Sequence, residues 1–315
     1  MTPFMLFAIV LLGTLALGRP LIRALRALAV RQTAYEDAPK SHAAKSGTPT
    51  MGGVLFVFGL LAALAVRHDP ATVALVALGL GCGAIGFYDD YSAIKHGRNR
   101  GLRAREKFAL TALVGVLFLF LARGESAAAN STLLTLGGYE VTAPALVWYP
   151  LALLAILSTI HAVNLTDGLD GLAAGTILPP LAVFAWLGWR AGSEGVVFVD
   201  LATAAAVLGF LVYNRHPASV FMGDTGSLAL GGVLAGSAIL SGSLLVLPLI
   251  GGVFLAETLS VIIQVAYFKR TRKRIFRMSP LHHHFELGGW PETKVTARFW
   301  TASALLSLAG AVLVR

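Results

Sequence analysis

The chain has 315 residues, 56% of them hydrophobic and only 13% charged, and its 25 Lys and Arg against 16 Asp and Glu give a net charge of +9. A mean hydropathy of +0.75 excludes a water-soluble fold, because too little polar surface remains to cover a globule of this size; an all-α integral membrane protein is expected. One cysteine, Cys82, excludes a disulfide framework and a thiolate-based metal cluster.

A membrane span takes about 20 mostly apolar residues. About ten candidates follow one another in the chain: 3–27, 51–67, 71–88, 107–122, 144–162, 171–190, 196–213, 226–242, 244–268 and 295–314. The first ends in Arg19, Arg23 and Arg26, whereas a secretory signal carries its charge before the apolar run, so an uncleaved span is expected. Between the fourth and fifth, Ser131 to Thr142 alternates around Gly137-Gly138 and predicts a short external β-hairpin. Only Ser241-Gly242-Ser243 separates the eighth span from the ninth. No repeat or linker interrupts the series, so residues 1–315 read as a single polytopic membrane domain.

Basic residues orient it. With the N-terminus outside and ten alternating spans, 21 of the 25 Lys and Arg fall on the inner side, and only Arg67, Arg123, Arg190 and Arg315 remain outside. By the positive-inside rule both termini are then periplasmic. The net charge therefore reads as an orientation signal, with some attraction for anionic headgroups, and requires no nucleic-acid partner.

The unusual polar residues collect where spans meet inner loops. Asp89-Asp90 closes the third span and Asn164-Leu-Thr-Asp167-Gly-Leu-Asp170-Gly follows the fifth. Carboxylates at helix C-termini are disfavoured by roughly 0.3–1 kcal/mol each and need a compensating cation. Neighbouring Lys and Arg explain any one of them as an interfacial ion pair. Five aspartates on one face, Asp224 included, point to a divalent ion with oxygen ligands, Mg²⁺ or Mn²⁺. In Gly223-Asp224-Thr-Gly-Ser227, Asp224 is also a candidate N-cap for the eighth span, a role compatible with metal ligation. Asn214 ends the seventh span.

Lys45-Ser-Gly-Thr-Pro-Thr50-Met-Gly52-Gly53 opens the second span; its glycines would let backbone N–H groups approach a phosphate, although it is not a Walker loop. Adjacent histidines such as His282, His283 and His284 do not easily converge on one metal, and in a basic loop they suit donation to a pyrophosphate or proton transfer. Glu257 and Gln264 share a face of the ninth span, and intramembrane polar groups of this kind serve function or helix-to-helix hydrogen bonds.

Lys45 to Gly53, Gly86-Phe-Tyr-Asp-Asp90, Asn164 to Ala173, Phe221-Met-Gly-Asp-Thr-Gly-Ser227, and Ser279-Pro-Leu-His-His-His-Phe-Glu286 together resemble the bacterial phospho-N-acetylmuramoyl-pentapeptide transferases. The wider family of polyprenyl-phosphate N-acetylhexosamine-1-phosphate transferases is similar in the aspartate motifs alone; the histidine run is similar to the muramoyl-peptide branch. The resemblance implies a ten-helix homodimeric enzyme of the bacterial cytoplasmic (inner) membrane, with its site facing the cytoplasm. Such an enzyme uses Mg²⁺ to transfer phospho-MurNAc-pentapeptide from UDP-MurNAc-pentapeptide to undecaprenyl phosphate, forming lipid I and UMP in peptidoglycan synthesis. The alternative within the wider family is a GlcNAc-1-phosphate transferase. By the same resemblance Asp224 is the metal ligand, Asp89 and Asp90 stand at the lipid phosphate, and Lys107 and His282 to His284 contact phosphate. Lys45, Thr50, Asn164, Asp167, Asp170, Asn214 and Phe221 would line the nucleotide pocket, with Phe221 stacked on uracil. One departure is Arg100, where the family commonly has lysine. A secondary transporter, whose acids would lie near the midplane of repeated, broken helices, fits this pattern less well.

Overall fold

A computed structural model describes residues 1–28, 47–95, 101–136 and 139–314. Its helices in chain order are α1 (Pro3–Ala27), α2 (Val54–Val66), α3 (Pro70–Lys95), α4 (Ala104–Ala122), a one-turn α5 (Ser126–Ala129), α6 (Ala145–Thr166), α7 (Leu172–Arg190), α8 (Glu194–Asn214) and α9 (Gly223–Leu240), then the short α10 (Leu247–Ile250), α11 (Gly252–Thr271), the short α12 (Leu281–Glu286) and α13 (Glu292–Leu313). Between α5 and α6, strands β1 (Thr132–Leu136) and β2 (Tyr139–Thr142) form an antiparallel hairpin. The hairpin was expected; its Gly-Gly turn lies outside the described residues.

Among the described residues, α1, α3, α6, α7, α8, α11 and α13 are long and apolar enough to cross a membrane, and α2 is a shorter apolar helix. The expected spans beginning at 107 and 226 correspond to α4 and α9, whose first turns carry charge: Arg105, Glu106 and Lys107 in one, Asp224 in the other. The boundaries differ from expectation in three informative places. The span expected over 244–268 is broken, because Leu244–Val246 is 3₁₀, α10 carries Pro248 and α11 restarts after Gly251; proline lacks the N–H that would continue an α-helix. Helix α3 runs on to Lys95 and α6 to Thr166, so Asp89, Asp90 and Asn164 lie inside the last turns of helices rather than beyond them. Residues 51–53 form a turn instead of the start of α2, because Gly52 N–H and Gly53 N–H donate to the carbonyls of Phe221 and Met222, both at 2.9 Å.

Helix α9 lies at the centre: every residue from Thr225 to Leu240 is buried. Among the helices around it are α3 and α6 on its flanks and α7, α8 and α2. Lipid tails are as apolar as leucine, so helices in a bilayer associate through close packing, and small residues mark the closest crossings. A methyl group on Gly53 would overlap the backbone of Gly226, so α2 and α9 can cross here only with glycine. The outward faces present Phe4, Leu12, Leu113, Phe120, Leu154, Leu305 and Leu308, which suits contact with lipid tails. At the other end from the aspartates the hairpin is tied down by Trp148, whose indole N–H donates to the Thr132 carbonyl (3.0 Å), and by Thr135 N–H donating to Gly242 O (2.9 Å).

Candidate active site

Helices α3 and α6 end, and α4 and α9 begin, at the same end of the bundle, and this alternation gathers side chains far apart in sequence. Lys107, in the first turn of α4, extends its ammonium between two carboxylates: it lies 2.9 Å from Asp89 Oδ2 and also bonds Asp224 Oδ2. Asp89 Oδ1 accepts from Leu102 N–H at 2.5 Å. The other oxygen of Asp224 accepts from Asn164 Nδ2 at 2.8 Å, and the same amide group donates to Ser227 Oγ at 2.9 Å. Asp89, Lys107, Asn164 and Asp224 are thus one network spanning four helices.

Asp90 does something the sequence did not reveal. Its carboxylate, on α3, accepts from the backbone N–H of Asp224 (3.1 Å) and Thr225 (3.0 Å) and from Thr225 Oγ1 (2.7 Å). These are unpaired donors of the first turn of α9, so Asp90 caps that helix from a different one. The expectation that Asp224 is the cap is overturned: α9 has no side-chain cap from its own N-cap residue, Met222. The Asp224 side chain points instead into the network with Lys107 and Asn164. Gly223 makes the arrangement possible, having φ +72 and leaving no room for a Cβ beside Asp90 Oδ2 (2.5 Å) and Thr50 Oγ1 (2.8 Å). Thr50 is accordingly buried at this junction. The glycines after it do not form a phosphate cradle, because the N–H groups of Gly52 and Gly53 are committed to residues 221 and 222. Lys45 lies outside the described residues.

The loop from Asp167 to Gly171 forms the next wall. The Asp167 carboxyl is pushed up to about 8, first by burial and then by the charges of Asp224, Asp90 and Asp170. Asp170 Oδ2 accepts from His216 Nδ1 and Ala218 N–H, both at 3.0 Å. Gly171 N–H donates to Asn214 Oδ1 (3.0 Å), while Asn214 Nδ2 donates to the Val220 carbonyl (2.9 Å); buried Asn214 therefore joins this loop to the one carrying Phe221. Phe221 itself is half-buried.

The histidine run lies on α12. The fully buried ring of His282 packs on Gly168, and its backbone N–H donates to Glu257 Oε1 at 3.1 Å, with Nδ1 3.3 Å from Glu257 Oε2. His283 Nδ1 is 2.8 Å from Glu286 Oε2. His284 Nδ1 accepts from Arg277 N–H at 3.0 Å, so its remaining ring proton sits on Nε2 when the ring is neutral. Gln264 accepts from the N–H groups of Ile275 and Phe276, each at 3.0 Å, and donates to Phe276 O at 3.1 Å. Glu257 and Gln264 thus anchor the loop and short helix after α11, the hydrogen-bonding role weighed for intramembrane polar groups. Ser227, His216 and Glu292, given no role of their own from sequence, belong to the site region. A polar run such as Asn214-Arg-His-Pro217 at the end of a span was the available signal for His216.

The oxygens of Asp224 and Asp89 converge on one ammonium, and the side chains bonded to Asp224 and Asn164 among the described residues offer oxygen and nitrogen. A position where two carboxylates already share a cation, with further carboxylates at 90 and 167, fits a hard divalent ion such as Mg²⁺.

Comparison with known proteins decides the family. The profile of Glycosyl transferase family 4 matches residues 72–242, a stretch that contains Asp89, Asp90, Lys107, Asn164, Asp167, Asp170, Asn214, Phe221 and Asp224. The phospho-N-acetylmuramoyl-pentapeptide-transferase signature 1 matches residues 45–57. The phospho-N-acetylmuramoyl-pentapeptide-transferase of Heliobacterium modesticaldum is 48% identical over 307 residues, covering 95% of this chain and 94% of the relative. The chain belongs to the phospho-N-acetylmuramoyl-pentapeptide-transferase family. Proteins of the same name from Moorella thermoacetica (46% identical; 99% and 98% covered) and Rubrobacter xylanophilus (43%; 96% and 94%) are similar along nearly their whole length. Within this family 4 transferase, the signature over 45–57 coincides with the segment that packs Thr50 beside Gly223 and pairs Gly52 and Gly53 with the start of α9.

Proposed function

We propose that this chain transfers phospho-MurNAc-pentapeptide from UDP-MurNAc-pentapeptide to undecaprenyl phosphate, releasing UMP and forming lipid I for peptidoglycan synthesis. The observation that carries the reading is the Asp89–Lys107–Asp224–Asn164 network, built at the end of an apolar bundle where most Lys and Arg collect. By the charge asymmetry of the loops, the protein is a ten-span protein of the bacterial cytoplasmic membrane with both termini outside and the site open to the cytoplasm. Family resemblance supports a homodimer.

Exchange of one pyrophosphate for another requires mainly that two phosphates be aligned and their charge offset. Phe87, Tyr88 and Tyr91 on α3 and Phe108 on α4, next to Asp89 and Lys107 in sequence, are exposed, an aromatic surface suited to a lipid-borne substrate. A phosphate monoester has a second pKa of about 6, so the acceptor is largely dianionic near neutral pH and nucleophilic without a base. Mg²⁺ held by Asp224, with Asp89 beside it, would supply the divalent charge that offsets the phosphate oxygens during transfer. Lys107 contributes a fixed positive charge between the two carboxylates. Asn164 holds the rotamer of Asp224, and Asp90 holds the helix on which Asp224 sits. His283 and His284, on a helix tethered through Glu257 and Gln264, are donors for the phosphates of the nucleotide; His282, buried on Gly168, positions that helix against the Asp167 loop.

The test is turnover by purified protein with undecaprenyl phosphate and Mg²⁺, offering UDP-MurNAc-pentapeptide and UDP-GlcNAc in separate reactions. Product from the muramoyl donor alone is expected. Comparable use of UDP-GlcNAc would sink the assignment, and no product without added divalent ion is expected from either.

A further inference from the structure

The segment from Asn164, in the last turn of α6, to Gly171 is held at both ends, and only one end belongs to the phosphate-transfer network. At the first, Asn164 bonds Asp224. At the second, Asp170 is gripped by groups from two other parts of the chain. Its backbone N–H donates to Glu292 Oε1 at 2.6 Å, and its carboxylate accepts from His216 Nδ1 at 3.0 Å. His216 Nδ1 also lies 3.4 Å from Glu292 Oε2. The ligating atoms of Asp170, His216 and Glu292 all fall within 4.8 Å of one another, so the imidazole is shared between two carboxylates.

The grip continues along α13. The Trp300 indole N–H donates to Gly171 O at 3.1 Å, and buried Val295 packs with Leu169 and Leu172. The side chain of Asp170 is almost fully enclosed (2% exposed), whereas that of His216 is 43% exposed, beside the exposed Arg215, Pro217 and Ser219. This polar, open side contrasts with the exposed aromatic rings that α3 and α4 carry next to Asp89 and Lys107 in sequence. Such a side suits a water-soluble substrate.

We propose that Glu292 and His216 are positioning residues for the nucleotide-linked donor: together with Asp170 they form a latch through which the final helix α13 sets the α6–α7 loop. The inference rests on the functional reading above and adds the element that orders the donor side of the site. Neither residue touches the reacting phosphates. Both act through Asp170, so their loss weakens donor binding and leaves acceptor binding alone.

The experiment measures UMP affinity by calorimetry, the KM of each substrate, kcat and the melting temperature, for wild type, Glu292→Ala, Glu292→Gln and His216→Ala. Glu292→Ala is expected to weaken UMP binding and raise the donor KM at least tenfold, with the undecaprenyl phosphate KM unchanged. Glu292→Gln, which keeps an acceptor for the Asp170 N–H, is expected to recover most of that loss. His216→Ala, at an exposed position that tolerates substitution, is expected to raise the donor KM several-fold with little change in melting. Wild-type UMP affinity in both alanine variants overturns the inference, as does an equal rise in both KM values or a fall in kcat alone. Wild type that fails to use the muramoyl donor overturns the functional reading itself, and this inference with it.

Discussion

Removing the Asp90 carboxylate tests how the site is held. Its two oxygens take three hydrogen bonds from the first turn of α9, at 3.1, 3.0 and 2.7 Å. Replacing an N-cap by alanine costs about 0.5–2 kcal/mol, and a buried donor left unpaired adds about 1–3 kcal/mol. Asp224 and Asp90 repel each other, which offsets part of the loss. For Asp90→Ala the balance is about 2 kcal/mol, or a fall in melting temperature of roughly 3 °C for a chain this long. Asp90→Asn keeps one acceptor oxygen and should lose about half as much. One of the freed donors is the amide of Asp224 itself, so activity should follow stability, in the order Asp, Asn, Ala. Thermal melting in detergent and lipid I formation on the same preparations provide both readouts. An alanine variant that melts with wild type yet is inactive, or an asparagine variant as inactive as alanine but fully stable, would refute the capping role and leave Asp90 as a ligand for substrate or metal.

Asp224→Ala should behave in the opposite way, with transfer abolished and melting close to wild type, because the Asp224 carboxylate caps nothing; a large loss of stability with residual turnover would contradict this. Titration of Asp167 gives a pH-dependent effect. With its folded value at about 8 against the usual 3.8, the folded state binds the extra proton between these limits, so the stabilisation is complete below about pH 3.8 and is lost as pH rises through 8. Asp167→Asn should therefore melt with a flatter pH dependence than wild type from pH 5 to 9 without ligands, and parallel curves would disprove it. Gln264→Leu removes three hydrogen bonds that hold residues 275 and 276; it should lower melting and loosen the His282–His284 helix, read as faster amide exchange over 275–286, and unchanged exchange there would count against the anchoring role.

Much of this was legible in the sequence because lipid imposes simple rules. Apolar length marked the helical segments, seven of which are long and apolar enough to cross a membrane among the described residues, and an alternating segment gave the hairpin. The polar clusters at span ends marked the residues that the fold brings to one end of the bundle. What was hidden depends on partners distant in the chain. Asp90 caps a helix 134 residues away, so local pattern favoured Asp224, which sits at a helix start with the right composition. The glycines at 52 and 53 looked available to a phosphate because nothing in their own neighbourhood shows that Phe221 and Met222 present carbonyls to them. Helix ends were misjudged for a similar reason: at α3 and α6 the helix outlasts the apolar run, since Asp89, Asp90 and Asn164 find partners on neighbouring helices and remain helical.

The burial of α9 on every side has a bearing on how the protein is made. Its principal neighbours α2, α3, α6, α7 and α8 all precede it in the chain, so during synthesis they enter the bilayer around a vacant axis. Until Gly223–Leu240 emerges, Asp90 has no helix to cap, Lys107 holds only Asp89, and Asn164 lacks the carboxylate it bonds. Filling of the central axis and completion of the Asp89–Lys107–Asn164–Asp224 network are then one event, brought about by the same 18 residues. A nascent chain halted before Gly223 should leave its polar groups wet and its earlier helices open to the quality-control proteases of the membrane.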